Sequence, residues 1–337
     1  MTIKVLAARL GISKASVSYA LNGQPGVSEV TRQRVLDLAA ELDWRPSSVA
    51  RALSRSKADA IGMVLKRDAG LLGAEPYYMG LLAGVEDVLS HAEQSLLLRM
   101  VGTGDGRDLE VYRSWSAERR VDGVIVLDLA VDDPRPALLT DLGLPFVLHG
   151  LHRDPSSEST VIDDQTTDAA TIVEHLSALG HRNIAHVTGP LFLAHELDRR
   201  DSIAAEAASR GMRATFLECD YTMATAERTA YRMLAEDDVP TAIVASNDVM
   251  ALGISTALRA SGRDDIALIS WDDSMICQIA TPTVSALARH PDEQGRRSAR
   301  LLLDVLSGVT RDQDAPIRSE LFVRETSRPA QPGRHDR

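Results

Sequence analysis

Six residues within one short stretch, Ser13, Lys14, Ala15, Ser16, Ser18 and Tyr19, are of types that can read a DNA duplex. Lys14 can donate to guanine acceptors, Ala15 can touch a thymine methyl, and Tyr19 offers a hydroxyl and a ring. Ser13, Ser16 and the free amides of a helix start suit phosphate oxygens. This chemistry requires that the residues sit together near the N-terminal end of one exposed helix.

The flanking pattern supplies such a helix. Ile3, Leu6, Ala7 and Leu10 recur at helical spacing, Gly11 stops that helix, and Ser13 can cap a second one whose inward positions are Val17, Ala20 and Leu21. A third helix over 28–42, with Val35, Leu38, Ala39 and Leu42 on one face, closes a small core. The three form a helix-turn-helix. Spacing alone leaves open a helical hairpin with no DNA function.

Charge is divided unevenly along the chain. The 337 residues carry a formal net charge of −11, which taken whole argues against a polyanion partner. Up to Lys57, however, nine bases face four acids, so this part carries +5 and the remainder −16. A basic head on an acidic body is the asymmetry expected when one small domain grips DNA.

The run continues as Asn22-Gly23-Gln24-Pro25-Gly26-Val27-Ser28-Glu29-Val30-Thr31-Arg32 and then Asp43-Trp44-Arg45-Pro46-Ser47-Ser48-Val49-Ala50-Arg51-Ala52-Leu53. With residues 2–22 it resembles the N-terminal domain of the LacI/GalR family of bacterial transcriptional regulators. The carriers are its S-x-x-x-V-S-x-x-L-N, G-V-S-x-x-T-R and R-P-x-x-x-A-R-x-L patterns. The resemblance implies that residues after Pro46 form a hinge helix, which pairs with its twin from a second subunit in the minor groove. Leu53 then matches the leucine wedged into a base step, and Ser47 and Ala50 match further minor-groove contacts. An ordinary interdomain linker is the alternative. Tyr19 stands where many members have arginine, so the outer bases of the operator are expected to differ.

From Ala60 the chain alternates strand and helix. Apolar runs at 60–65, 95–101, 122–129 and 145–149 are separated by helical stretches at about 78–92, 107–120 and 134–142. The rhythm restarts with strands at about 183–188, 213–219, 241–246 and 266–271, and helices at about 166–179, 194–210, 224–236 and 248–261. Two α/β lobes follow, with ligands expected beyond the carboxyl ends of parallel strands, in the cleft between them.

The body also resembles the family's effector domain, which has a periplasmic-binding-protein-like fold. The matching segments are Arg120–Ile125, His175–Ala185, Ala245–Gly253 and Gln294-Gly295-Arg296, the last opening a late helix. The implied architecture is a helix-turn-helix head at 1–45 and a hinge and linker at 46–59. An N-lobe of 60–160 plus 289–319, a C-lobe of 161–288 plus 320–327, and a disordered tail at 328–337 complete it. The family's cleft arginine falls on Arg199 and its strand-end acids on Asp248 and Asp272, with Asn247 adjacent. Tyr77, His149 and Trp271 stand at other strand or loop ends, and an aromatic face suits a sugar ring. Against this, Asn247 and Asp248 could simply cap the following helix, and Trp271 could be core. Trp271 replaces the family's more frequent Phe or Tyr, which leaves effector identity open.

Other chemistries lack their motifs. Gly102-Thr103-Gly104-Asp105-Gly106 has no third glycine at dinucleotide spacing, the nine histidines show no paired-ligand spacing, and no G-x-S-x-G elbow is present. Cys219 and Cys277 show no metal spacing and read as buried hydrophobes. No cofactor, metal or enzymatic activity is expected. With no export signal and no run of membrane-spanning length, the chain is expected to be cytoplasmic. The expected function is a sequence-specific regulator, a repressor of sugar-metabolism genes, that binds a pseudo-palindromic operator as a homodimer under control of a small-molecule effector, a sugar. An effector-independent or corepressor-dependent regulator with a nucleoside-type ligand is the alternative, and a sugar-binding protein a more distant one.

Overall fold

A computed structural model describes residues 3–44, 57–67, 75–102, 106–150, 160–161, 164–310 and 315–329. The hinge positions Ser47, Ala50 and Leu53 and the tail beyond Pro329 lie outside the described residues. The chain divides into two compact units, one comprising Met1–Asp59 with Arg119–Asp122 and the other the remainder.

The first unit holds three helices, α1 (Ile3–Leu10), α2 (Lys14–Leu21) and α3 (Glu29–Glu41). Gly11 ends α1 at φ +67°, in the left-handed region that glycine adopts without penalty. The Ser13 hydroxyl accepts from the Ser16 amide at 3.0 Å, satisfying one of the orphan donors at the start of α2. Leu6, Ala7, Val17, Ala20, Val35 and Ala39 form the buried centre, and Ile3, Leu10, Ile12, Leu21, Val27, Leu38, Leu42 and Trp44 close around it. Arg32 ties α3 to the end of α2 by donating to the carbonyls of Ala20 (3.2 Å) and Gln24 (3.0 Å).

The second unit contains two sheets. The first, in order β2-β1-β3-β4-β5, is built from β1 (Ala60–Lys66), β2 (Ser95–Val101), β3 (Gly123–Val126), β4 (Phe146–His149) and β5 (Thr160–Val161), all parallel. The second runs β11-β10-β9-β8-β6-β7. Its strands are β6 (Asn183–Thr188), β7 (Arg213–Glu218), β8 (Ala242–Ala245), β9 (Ala267–Ser270), β10 (Ser285–Ala288) and the antiparallel edge strand β11 (Glu320–Phe322). The long elements agree with the alternating pattern of the sequence. Those it did not mark, β5, β10, β11 and the short helix Met275–Ile279, are two to five residues long, too short to show a period.

Helices α4 (Pro76–His91), α5 (Arg107–Glu118) and α6 (Arg135–Asp141) connect the first sheet. Helices α7 (Gln165–Ala178), α8 (Ala194–Ser209), α9 (Met223–Leu234), α10 (Asp248–Ala260) and α11 (Met275–Ile279) serve the second. Helix α12 (Pro291–Ser307) follows β10 of the second sheet, yet buries Ala299 and Leu302 against Leu81, Val85 and Leu89 of α4 in the core of the first. The chain then returns to the second sheet as β11. Gln294-Gly295-Arg296, expected to open a late helix, lie in its first turns after Pro291.

The α4–α12 seam is made backbone to backbone. A Cβ placed on Gly84 would stand 1.8 Å from the Asp292 carbonyl oxygen, and one on Gly295 would stand 2.1 Å from that of Leu81. Neither obstacle is a movable side-chain tip, so the helices must separate to admit a methyl group. Gly84→Ala is expected to destabilise the protein by about 2 kcal/mol or more despite its better helix propensity. Urea denaturation checks this, and an unchanged or raised midpoint would show that the seam is not tightly closed.

Candidate functional site

Two surfaces gather the candidate residues. On α2, Ser13, Lys14, Ala15 and Tyr19 are exposed while Ser16 and Ser18 are half-buried. Burial of Val17 and Ala20 on the opposite side fixes which face is presented. The Ser13 and Ser16 hydroxyls lie 2.9 Å apart, and Ser18 receives the Asn22 amide on its hydroxyl (3.3 Å) and carbonyl (2.8 Å). Gly26, at φ +108°, carries the loop past the Tyr19 ring, which a Cβ there would meet at 3.4 Å. The exposed face is thus Lys14, Ala15 and Tyr19, with Ser13 at its start.

The second surface is a cleft of about 590 Å³, including its open mouth, at the carboxyl ends of the strands in both sheets. Tyr77, His149, Arg199, Asn247, Asp248 and Asp272 line it. Trp271 does not. Its ring is fully buried, stacked on His186 at 5.8 Å with 23° between planes, and the Arg199 guanidinium lies 4.9 Å from its centroid. The expectation of an open tryptophan face for a sugar is corrected: a strand-end position does not decide which way a ring turns.

Beneath the cleft floor, Glu196 is wholly buried and accepts from Arg199 Nη1, the Ser246 hydroxyl and the Gly189 amide, each at 2.7 Å. Burial opposes its ionisation, but Arg199, His195 and His186 overcome this and hold its carboxyl down at about 2. Arg199 also donates to Gln165 Oε1 (2.9 Å) and to the Ser246 carbonyl (3.2 Å). Because the Ser246 proton goes to Glu196, His186 Nε2 donates to Ser246 at 3.0 Å, and burial pushes that imidazole down to about 4. Asn247 both lines the cleft and caps α10, accepting from the Met250 amide at 2.7 Å.

Two further arginines span the cleft. Arg67, after β1, reaches Asp128 (3.3 Å) and Glu75 (3.6 Å), and its guanidinium faces the rings of Tyr78 (5.4 Å) and Tyr221 (5.2 Å). Arg289, after β10, pairs with Asp272 (2.9 Å) and faces the ring of Tyr77 (5.1 Å). The Tyr77 hydroxyl donates to Gln294 (2.7 Å) and lies 3.1 Å from His149 Nε2, whose other nitrogen meets Ser298 at 2.9 Å. Asp128 (φ +50°) and Tyr221 (φ +65°) hold left-handed backbone, which costs free energy in non-glycine residues. Main-chain bonds from Val131 N to Phe192 O (2.9 Å) and Ala194 N to Leu129 O (2.8 Å) join the two lobes beside the cleft.

Arg67, Glu75, Tyr78, Asp128, His195, Tyr221 and Arg289 were not singled out from the sequence. The strand-end rule could have found Arg67 and Asp128, which stand one and two residues past β1 and β3. Carboxylates and guanidiniums converging beside aromatic rings can hold a polyhydroxylated ligand by paired hydrogen bonds.

Comparison with known proteins gives concordant results. Residues 2–47 match the model described as bacterial regulatory proteins, lacI family, and residues 173–327 match the periplasmic binding protein-like domain. The HTH-type transcriptional regulator CelR of Thermobifida fusca is 30% identical, with 96% of this chain and 98% of that protein aligned. The solved structure of a transcriptional regulator CelR–cellobiose complex is 29% identical with a TM-score of 0.74, covering 97% of this chain and 99% of that one. A lac repressor dimer bound to operator and the anti-inducer ONPF, 24% identical over 97% of this chain and 99% of its own, shares the fold at a TM-score of 0.85.

Glu75 supplies a prediction. Burial pushes its carboxyl up to about 7, with Arg67 only partly offsetting it. A carboxyl raised in the folded state stabilises below its unfolded pKa, and that stability is lost as pH rises through the folded value. Glu75→Gln is therefore expected to exceed the wild type in stability at pH 8 by on the order of 2–3 kcal/mol, the gap closing at pH 5. Urea denaturation at the two pH values decides, and a constant gap would show that Glu75 titrates normally.

Proposed function

Because the chain belongs to the lacI family of bacterial regulatory proteins, we propose that this DNA-binding transcriptional regulator is a repressor that holds a pseudo-palindromic operator as a homodimer and is controlled by a sugar in its cleft. The observation that carries the reading is the capped helix α2, which turns Lys14, Ala15 and Tyr19 outward on a head that closes its own core. Ser13, Ser16 and Ser18 take backbone and phosphate contacts beside them. Ser47, Ala50 and Leu53 act in the minor groove as the hinge.

Dimerisation is supported by apolar side chains left in solvent. Met79 on α4 is 52% exposed, and Met275 and Ile279 on α11 are 66% and 71% exposed. The N-lobe is assigned 60–160 plus 289–319 and the C-lobe 161–288 plus 320–327, so three chain crossings act as the hinge of the cleft. Arg199, Asp272, Asp248, Asn247, Tyr77 and His149 bind the effector. Trp271 acts on it only through Arg199, as the ring under the guanidinium. A sugar that favours one lobe arrangement shifts the population of DNA-competent dimers, and operator DNA must weaken or strengthen sugar binding by the same factor.

The test is fluorescence anisotropy of the protein on duplexes from its own upstream region against a shuffled duplex, at fixed salt, with a panel of sugars led by cellobiose, the ligand of the solved relative. Tight, selective binding to a near-palindrome that one sugar reverses is expected. Equal affinity for both duplexes would sink the regulatory site reading, and a sugar that tightens binding would make it a corepressor. Leu53→Ala is expected to weaken operator binding about tenfold or more with the melting temperature unchanged. Undiminished affinity would remove Leu53 from the interface.

A further inference from the structure

The cleft holds more carboxyl groups than cations to meet them. Arg199 is committed to Glu196 beneath the floor, leaving Arg67 and Arg289 to face Glu75, Asp128, Asp248 and Asp272. Arg67 is shared between Asp128 and Glu75, and Arg289 between Asp272 and, at 3.9 Å, Asp168. Among the ion pairs of the described residues none reaches Asp248. Two of these acids carry an oxygen that is buried and unpartnered: Glu75 Oε1, on a residue 6% exposed, and Asp248 Oδ2, on one 3% exposed. Polar atoms in such a position await a ligand or cost free energy.

We propose that the effector carries a protonated amine, and that Glu75 and Asp248, with Asp272 between their fields, are the acids that select it. This rests on the reading of the cleft as the effector site and names the chemical class within it: an amino sugar, in which the ring hydroxyls engage Arg67, Arg289 and His149 and the ammonium meets the surplus carboxylates. A bare metal ion does not fit, because among the described residues no group of three or more His, Cys, Asp or Glu side chains is arranged to hold one. His195 does not supply the missing charge, since burial pushes it down to about 4.

Two of these acids keep their protons to a higher pH than exposed carboxyls do. Glu75 faces Arg67, Asp128 and Asp272, and burial pushes it up to about 7. Asp248 faces Asp272 and Ser274; burial pushes it up to about 6, the Ser274 hydroxyl opposing and Asp272 adding to the shift. An ammonium brought to these groups favours their ionised forms, so binding releases protons and tightens as pH rises from 5 to 7.

The experiment is isothermal calorimetry of the full-length protein with matched sets: glucose, glucosamine and N-acetylglucosamine, and the corresponding galactose and mannose sets, at pH 5 and 7 and in buffers of different ionisation enthalpy. The expected result is one amino sugar bound at least about tenfold more tightly than both its parent and its N-acetyl form, with affinity higher at pH 7 and protons released. Glu75→Gln and Asp248→Asn should each bring the amino-to-parent affinity ratio toward one. The proton release is read on the wild type and stands even if a variant folds poorly. A parent sugar that binds as tightly as its amine, without proton release, overturns the inference and leaves the sugar-effector reading intact. Binding by no sugar of any set overturns both.

Discussion

The buried pair of Glu196 and Arg199 is the interaction on which the second lobe's ligand face depends. An ion pair taken wholly out of water recovers its desolvation cost only when every remaining lone pair and proton is met. Here Gln165 of α7 meets the guanidinium, and the other partners come from three strand ends: Gly189 after β6, Ser246 after β8, and the Trp271 ring after β9. The pair therefore sets the heights of those strand ends relative to one another. Asn247 and Asp272, each one residue further along, and Asp248, two along, inherit their positions from it. With the guanidinium lying over the indole, the floor of the cleft is charged yet rigid, the preorganised surface that recognition of hydroxyl or amine groups requires.

On the first lobe the equivalent role falls to close packing. Helix α12 arrives from the other sheet and must lie in the first lobe's core, and Gly84 and Gly295 let it press onto α4 without intervening side chains. Gln294, Ser298 and through them His149 and Tyr77 are set by that seam. The two halves of the cleft are thus built by different means, one by a satisfied buried charge and the other by backbone contact.

What could be read in the sequence follows from the range over which each determinant acts. The head was legible because its signals are local: a serine cap, a left-handed glycine and apolar spacing of three and four residues. The long strands and helices of the body were legible for the same reason, whereas β5, β10 and β11 exist only because a neighbouring strand is already in place. Within the cleft, the family resemblance brought out Arg199, which stands on α8, and the strand-end acids Asp248 and Asp272, but orientation was hidden, so a core and a ligand-facing role for Trp271 could not be told apart. Tyr221 and Arg289 were invisible because their meaning is relational: each acquires a role from a ring, guanidinium or carboxylate far away in sequence.

The bonds between Leu129–Val131 and Phe192–Ala194 have a consequence for how this scaffold can diverge. They join the lobes through peptide groups alone, and every amino acid except proline supplies the same donor and acceptor. The lobes' mutual registration beside the mouth is consequently indifferent to which side chains occupy the cleft. Descendants of such a protein can exchange one set of ligand-facing residues for another, and so acquire new chemical tastes, without having to reinvent the contact that keeps the two halves aligned.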